Sequence, residues 1–223
     1  MNEHPILFSR PMVRAILEGR KTQTRRVVKF KNTFFKGITG QVQEHHDMKT
    51  CYPMPNGGFV FWSFDPGKQF SDLAYENSGD GIRCPYGEPG DRLWVRETWS
   101  ASPGCIAIKY QPDVLYRADT YPAIPHKWRP SIFMPRWASR IALEIVNVRV
   151  ERVGDISTND ALAEGVEKTN SARDYWAYRD YTGNGQDLSP CMSYQSLWES
   201  INASRGFGWD VNPWVWILDF KRL

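Results

Sequence analysis

The sequence has little from which to build a metal centre or a disulfide framework. Its four cysteines, Cys51, Cys84, Cys105 and Cys191, lie far apart and form no C-x-x-C pair. The four histidines, His4, His45, His46 and His126, complete no metal-ligand spacing. His45-His46-Asp47, with Cys51 behind it, comes nearest to a cluster and reads as a polar surface loop, so no metal or other cofactor is implied. There is no signal peptide and no long apolar run, which predicts a cytoplasmic protein with reduced thiols and no membrane partner. Internal repeats, low-complexity tracts and a phosphate-loop glycine motif are missing too.

Charge of one sign is also scarce overall. A net charge of +3 over 223 residues does not argue for nucleic-acid binding by itself. Its distribution says more. Within the first 31 residues, Arg10, Arg14, Arg20, Lys21, Arg25, Arg26, Lys29 and Lys31 face only Glu3 and Glu18, a surplus of six that leaves the remainder net negative by three. Such a local basic footprint is what phosphate selects. The clearest excess is aromatic, with ten Trp, ten Tyr and eleven Phe. A Trp face either fills a core or stacks against a ligand. At 41% apolar, the chain is long enough for one sizeable core, so residues 1–223 are expected to form a single domain.

Ile6-Leu7-Phe8 reads as a strand feeding a helix that Ser9 can cap, Pro11 can start and Gly19 can stop, with Met12, Val13, Ile16 and Leu17 as its apolar stripe. The next residues, Gly19-Arg20-Lys21-Thr22-Gln23-Thr24-Arg25-Arg26, put one Lys, three Arg and two Thr into a turn plus a strand. A helix C-terminus favours one or two cations, but four in a row repel one another. An anionic or polar ligand explains the concentration; the competing reading is a solvated basic face. In the strand, Lys21, Gln23 and Arg25 alternate with Thr22, Thr24 and Arg26.

Prolines and glycines interrupt residues 29–90, where Phe59–Trp62 alone suggests a hairpin strand. The turn Glu88-Pro89-Gly90-Asp91 then leads into a strand ending at Glu97 and Trp99. Ser139 to Val153 alternates like a long strand, with a phase slip near Val146-Asn147 that predicts a bulge. Ser157 to Asp160 fits a capping box, and Gly165 ends the helix that follows. Glu164 is its last residue, where the dipole opposes an acid by roughly 0.3–1 kcal/mol. A carboxylate with a raised pKa suits general acid/base work, although an ordinary exposed Glu fits the spacing equally well. A polar loop then runs to Pro190. Ser193 can cap a helix with a core stripe of Tyr194, Leu197, Trp198 and Ile201. The closing strand, Trp214–Phe220, is apolar on both faces until Asp219, as a central strand would be. Together these elements predict an α+β fold, a small mixed barrel carrying short helices and long loops.

Three stretches resemble a known family. Ile16–Arg25 resembles the G-x-K-x-x-E/T-x-R signature of the ASCH domain, a relative of the PUA RNA-binding barrel. Pro89-Gly90-Asp91-Arg92-Leu93-Trp94-Val95 resembles its second-strand turn, and Trp216–Lys221 its closing strand. The pattern covers about half the chain; insertions at about 32–87, 101–137 and 167–190 have no counterpart in small members and make the chain similar to longer phage and prophage ASCH proteins. The small relatives with known chemistry are bacterial N4-acetylcytidine amidohydrolases. The resemblance implies that Lys21, Thr24 and Glu164 stand at their catalytic positions, while Arg25 falls where they carry an apolar residue. Arg20, Arg25 and Arg26 would bind substrate, Trp99 would stack a base, and Glu97 would accept from a base edge or form a cross-strand ion pair. Neighbouring cations should depress the Lys21 pKa and free it as base or nucleophile, with Thr24 as attacking hydroxyl or oxyanion donor.

Two other readings use the same residues. One is a PUA-like module that binds RNA, DNA or a modified base without chemistry. The other is a ribonuclease in which Lys21 stabilises charge. Phosphate contacts would make affinity fall steeply with salt, whereas a nucleoside pocket would be nearly indifferent.

Overall fold

A computed structural model describes residues 1–29, 48–53, 59–63, 83–101, 114–119, 127–170, 176–183, 185–187 and 189–223. The strands with the strongest apolar alternation form its centre. β1 (Glu3–Leu7), β2 (Gln23–Val27), β5 (Arg92–Arg96), β8 (Ala142–Arg152) and β12 (Trp214–Arg222) make one sheet in the order β1-β5-β8-β12-β2. β12 is central, as its two apolar faces require, and pairs antiparallel with β8 on one side and β2 on the other. β1 and β5 run parallel, Ile6 opposite Val95. The expected bulge is present. The partner of β12 jumps from Asn147 at Asp219 to Ile145 at Phe220, and the skipped Val146 is 55% exposed.

The α+β class is as expected. Among the described residues, however, no ladder joins β1 to β2, so backbone pairing gives an open sheet and not a closed barrel. A side chain spans the two edges instead: Arg26, on β2, donates to the Leu7 carbonyl, at the end of β1, at 2.6 Å.

Helix α1 (Arg10–Leu17) follows β1 and buries Met12, Val13 and Ile16 among Leu93, Val95, Leu143, Ile145, Ile217 and Leu218. Each such side chain contributes roughly 1.5–3 kcal/mol relative to exposure. Ser9 takes the N-cap position without a side-chain bond, and Gly19 is left-handed at φ 74°. Helix α2 (Thr158–Ala163) begins as its capping box predicts, with Ser157 Oγ accepting from the Asp160 N–H at 3.1 Å.

Helix α3 (Pro190–Asn202) starts three residues before the expected cap. Ser189 is its N-cap, accepting from the Met192 N–H, and Pro190 takes the first position, where a missing N–H costs nothing. Ser193 is instead inside the helix and donates to the Arg179 carbonyl at 2.6 Å. Of the expected stripe, Tyr194, Leu197 and Trp198 are buried, while Ile201 is 39% exposed.

The segment read as a polar loop before α3 holds a small antiparallel sheet of β9 (Lys168–Asn170), β10 (Trp176–Arg179) and β11 (Gln186–Asp187). Ala177 and Tyr178 on β10 are buried, so an apolar anchor overrode the polar composition. The hairpin strand expected at Phe59–Trp62 is β4 (Phe59–Ser63), paired with β3 (Met48–Pro53); β6 (Trp99–Ala101) pairs with β7 (Val114–Tyr116). Among the described residues no helix is long and apolar enough to cross a membrane.

Candidate active site

Two helix C-termini meet at Lys21. After α1, the Arg20 and Lys21 N–H groups both return to the Ala15 carbonyl, at 2.9 and 3.0 Å. The Thr22 N–H reaches the Ala163 carbonyl at the end of α2, at 2.8 Å. Gly165 lies against this junction at φ 85°; a Cβ there would fall 2.8 Å from Lys21 Cβ and 2.9 Å from Ala15 Cβ. Gly165 therefore both ends α2 and lets it close on Lys21.

That closure buries an ion pair. Lys21 Nζ donates at 2.7 Å to Glu164 Oε2 and at 2.7 Å to the Glu164 carbonyl, and both residues are 3% exposed. Removing both charges from water costs several kcal/mol per ion, so such a pair is poor evidence of stabilisation and asks for another reason. Burial pushes the Lys21 pKa down, Glu164 pulls it up, and Arg26 and Arg25 add to the depression. The sequence predicts this direction from like charges; in the folded protein desolvation leads.

The second oxygen of Glu164 faces Arg25, whose Nη1 lies 3.5 Å from Oε1. Arg25 is buried and held from several sides. It donates to Gln23 Oε1, meets Asp160 Oδ2 at 3.2 Å and lies 3.6 Å from Glu151 Oε2. Asp160 in turn accepts from Gln23 at 3.0 Å and Arg149 at 2.8 Å. Burial alone would raise the Asp160 pKa, but hydrogen bonds from Gln23 and Ser157 and the charges of Arg25 and Arg149 hold it down at about 2. Asp219 completes the network, accepting from Gln23 at 2.6 Å and Arg149 at 2.7 Å. These side chains converge because Gln23, Arg25, Ile217, Asp219 and Arg149 occupy paired positions on β2, β12 and β8.

Aromatic rings border the pair. Lys21 Nζ is 5.6 Å and the Arg26 guanidinium 5.1 Å from the Phe8 ring centroid, and the Arg25 guanidinium is 5.8 Å from that of Tyr194. Burial, reinforced by Glu164, keeps the Tyr194 hydroxyl protonated well above its ordinary pKa.

The structure thus brings Lys21, Arg25 and Glu164 together. Thr24 is buried opposite Leu218, one residue out of phase with Gln23 and Arg25 and hence on the other face of β2. Arg20 is exposed, bridging Glu18 at 2.6 Å and the Gly165 carbonyl at 3.0 Å. Glu97 and Trp99 are taken up elsewhere. Both Glu97 oxygens accept from Arg140, at 2.9 and 3.2 Å, which is the ion-pair alternative. Trp99 is 2% exposed, packed with Met134 and Ala138, edge-to-face with Trp137, and 5.1 Å from the Arg129 guanidinium. A ring so enclosed acts as core.

Sequence reasoning missed Asp160, Arg149 and Asp219 as one network, and Gln23 as its hub. The polar residue at position 23 of a buried strand was the available signal. Among the described residues no group of three or more His, Cys, Asp or Glu side chains could hold a metal ion; His45-His46-Asp47 lies outside them. No protein-family model, curated protein or solved structure matches this chain.

Proposed function

We propose that this protein is an amidohydrolase that removes an acyl group from the exocyclic amine of a modified cytidine, of the N4-acetylcytidine kind. The observation that carries the reading is the buried Lys21–Glu164 pair, in which a lysine of depressed pKa touches a carboxylate. The resemblance of the Gly19–Arg25 and Asp160–Glu164 stretches to ASCH-type amidohydrolases, and with it a PUA-like barrel, belongs to the same proposal.

Hydrolysis of such an amide needs a nucleophile or activated water, a donor for the carbonyl oxyanion and a proton for the leaving amine. Glu164 accepts a proton from a water as that water attacks the acyl carbon, then gives it to the departing amine nitrogen, and the acyl group leaves as the carboxylic acid. Lys21, when neutral, is a base for that water; when charged, it stabilises the developing oxyanion. Arg25 steadies Glu164 from its far side, and Phe8 offers the aromatic wall beside Lys21. Because the pair is closed, substrate must displace the Lys21–Glu164 contact or enter beside it.

The test is N4-acetylcytidine incubated with wild type and with Glu164→Gln, with chromatography for released cytidine. Turnover by wild type and loss of about 100-fold or more in the variant is expected. No cytidine from wild-type protein removes the amidohydrolase reading and leaves the modified-base or RNA-binding module, whose affinity would be measured next.

A further inference from the structure

Beside the ion pair, on the other side of Gly165, lies a cleft of about 800 Å³ between α1, the α2–β9 connection and β10. Neither Lys21 nor Glu164 lines it; Met12, Leu162, Gly165 and Val166 are among the residues that do. Its charge is uneven. Arg10, Arg14, Arg20, Lys168 and Arg179 line it against only Glu18 and Glu167, an excess of three positive charges. That excess equals the net charge of the whole chain, so the residues outside the cleft sum to zero.

Three of the guanidinium groups are fixed before any ligand arrives. Arg14 Nε donates to the Ala118 carbonyl at 2.7 Å, Arg20 Nη1 to the Gly165 carbonyl at 3.0 Å, and Arg179 Nη1 to Glu167 at 3.0 Å. Arg20 also donates through Nε and Nη2 to Glu18 Oε2, at 2.8 and 2.6 Å. Arg20 and Arg179 thus use only part of their five-donor forks, and their other N–H groups can turn to an anion. Tyr181 adds a directed donor: its oxygen accepts from the Glu167 N–H at 3.3 Å, leaving the hydroxyl proton to give. Fixed donors of this kind reduce the ordering cost of binding.

We infer that this cleft binds phosphate, and that the ligand of the neighbouring pair is a phosphorylated nucleoside. The inference rests on the proposed function for the base end alone. The shared chemistry is a phosphate oxyanion, carried by a free nucleotide or by a nucleic-acid strand. Arg20 links the two regions, since it donates to the carbonyl of Gly165, the residue that follows Glu164.

The experiment is calorimetric titration of the full chain with inorganic phosphate, cytidine, cytidine 5′-monophosphate and a short single-stranded oligonucleotide. It is repeated on Arg10→Gln/Lys168→Gln, a double substitution at two exposed residues. Wild type should bind cytidine 5′-monophosphate more tightly than cytidine, and the variant should lose roughly tenfold or more of the nucleotide affinity while cytidine binding is unchanged. Arg179→Gln provides a second, independent lesion with the same expected loss. An affinity for the oligonucleotide that falls steeply with salt, alongside weak nucleotide binding, identifies a strand as the phosphate source. Equal affinity for nucleoside and phosphorylated ligands, or equal nucleotide affinity in wild type and both variants, overturns the cleft. Because these readouts need no turnover, phosphate binding without deacetylation would sink the reaction and spare the cleft, and deacetylation without phosphate preference would do the reverse.

Discussion

Lys21 is held by two acceptors and no water-exposed surface to speak of, which sets what its replacement does. Lys21→Ala leaves the buried Glu164 carboxyl group without its lysine and with Arg25 Nη1 at 3.5 Å. Loss of one partner from a buried pair costs roughly 3–5 kcal/mol, so the variant should show a lower denaturation midpoint as well as no turnover. Replacing both partners is gentler: Lys21→Met/Glu164→Leu should recover most of that loss, because no uncompensated charge stays inside. A double variant as unstable as Lys21→Ala would show that the pair itself stabilises the fold. Activity loss is therefore read from Glu164→Gln, which keeps shape and a hydrogen-bonding oxygen.

Asp160 gives the pH dependence. Its carboxyl pKa in the folded protein is about 2, below the unfolded value of about 3.9, so its contribution is present above pH 4 and lost as pH falls toward 2. After discounting for its partial exposure, that contribution is roughly 1–2 kcal/mol. Asp160→Asn should flatten the acid limb of an unfolding curve between pH 4 and pH 2. A limb identical to wild type would place the acid sensitivity elsewhere.

At the scale of elements, the site depends on how closely the end of α2 approaches the turn after α1. Gly165 and Gly19 both end helices in the left-handed region, at φ 85° and 74°, yet only Gly165 has neighbours within 4 Å of a would-be Cβ. Gly19→Ala should cost about 1 kcal/mol, from backbone strain alone. Gly165→Ala adds steric pressure on Lys21 and Ala15 and should cost about 2–4 kcal/mol. Chemical denaturation of the two variants tests the difference; equal losses would mean that α2 moves aside freely. Composition could not locate β9 and β10, because their polar residues hide the buried Ala177 and Tyr178. The start of α3 was misread because two serines, Ser189 and Ser193, offer competing caps, and Pro190 decides between them.

Across the whole molecule, the central position of β12 ties both ends of the chain to the site. Its partner β2 carries Gln23 and Arg25, and β8 carries Arg149. Amides of Val215–Leu218 should exchange with solvent only through global unfolding, whereas β1, an edge strand among the described residues, should exchange through local opening. Hydrogen exchange that protects β1 and β12 equally would imply that the β1 edge is covered.

Sequence patterning by itself determined the α+β class, the ends of α1 and α2, the bulge at Val146, the central placement of β12 and the concentration of cations around Lys21. Each follows from local rules of period, capping or charge that act within one turn or one strand. Only tertiary structure decided that Lys21 and Glu164, 143 residues apart, share a hydrogen bond, that Arg25 is buried in a carboxylate network, and that Trp99 is core. Those outcomes depend on which strands pair and which helix ends converge. Long-range pairing is set by the summed burial of the whole sheet, and no single stretch of sequence carries that sum.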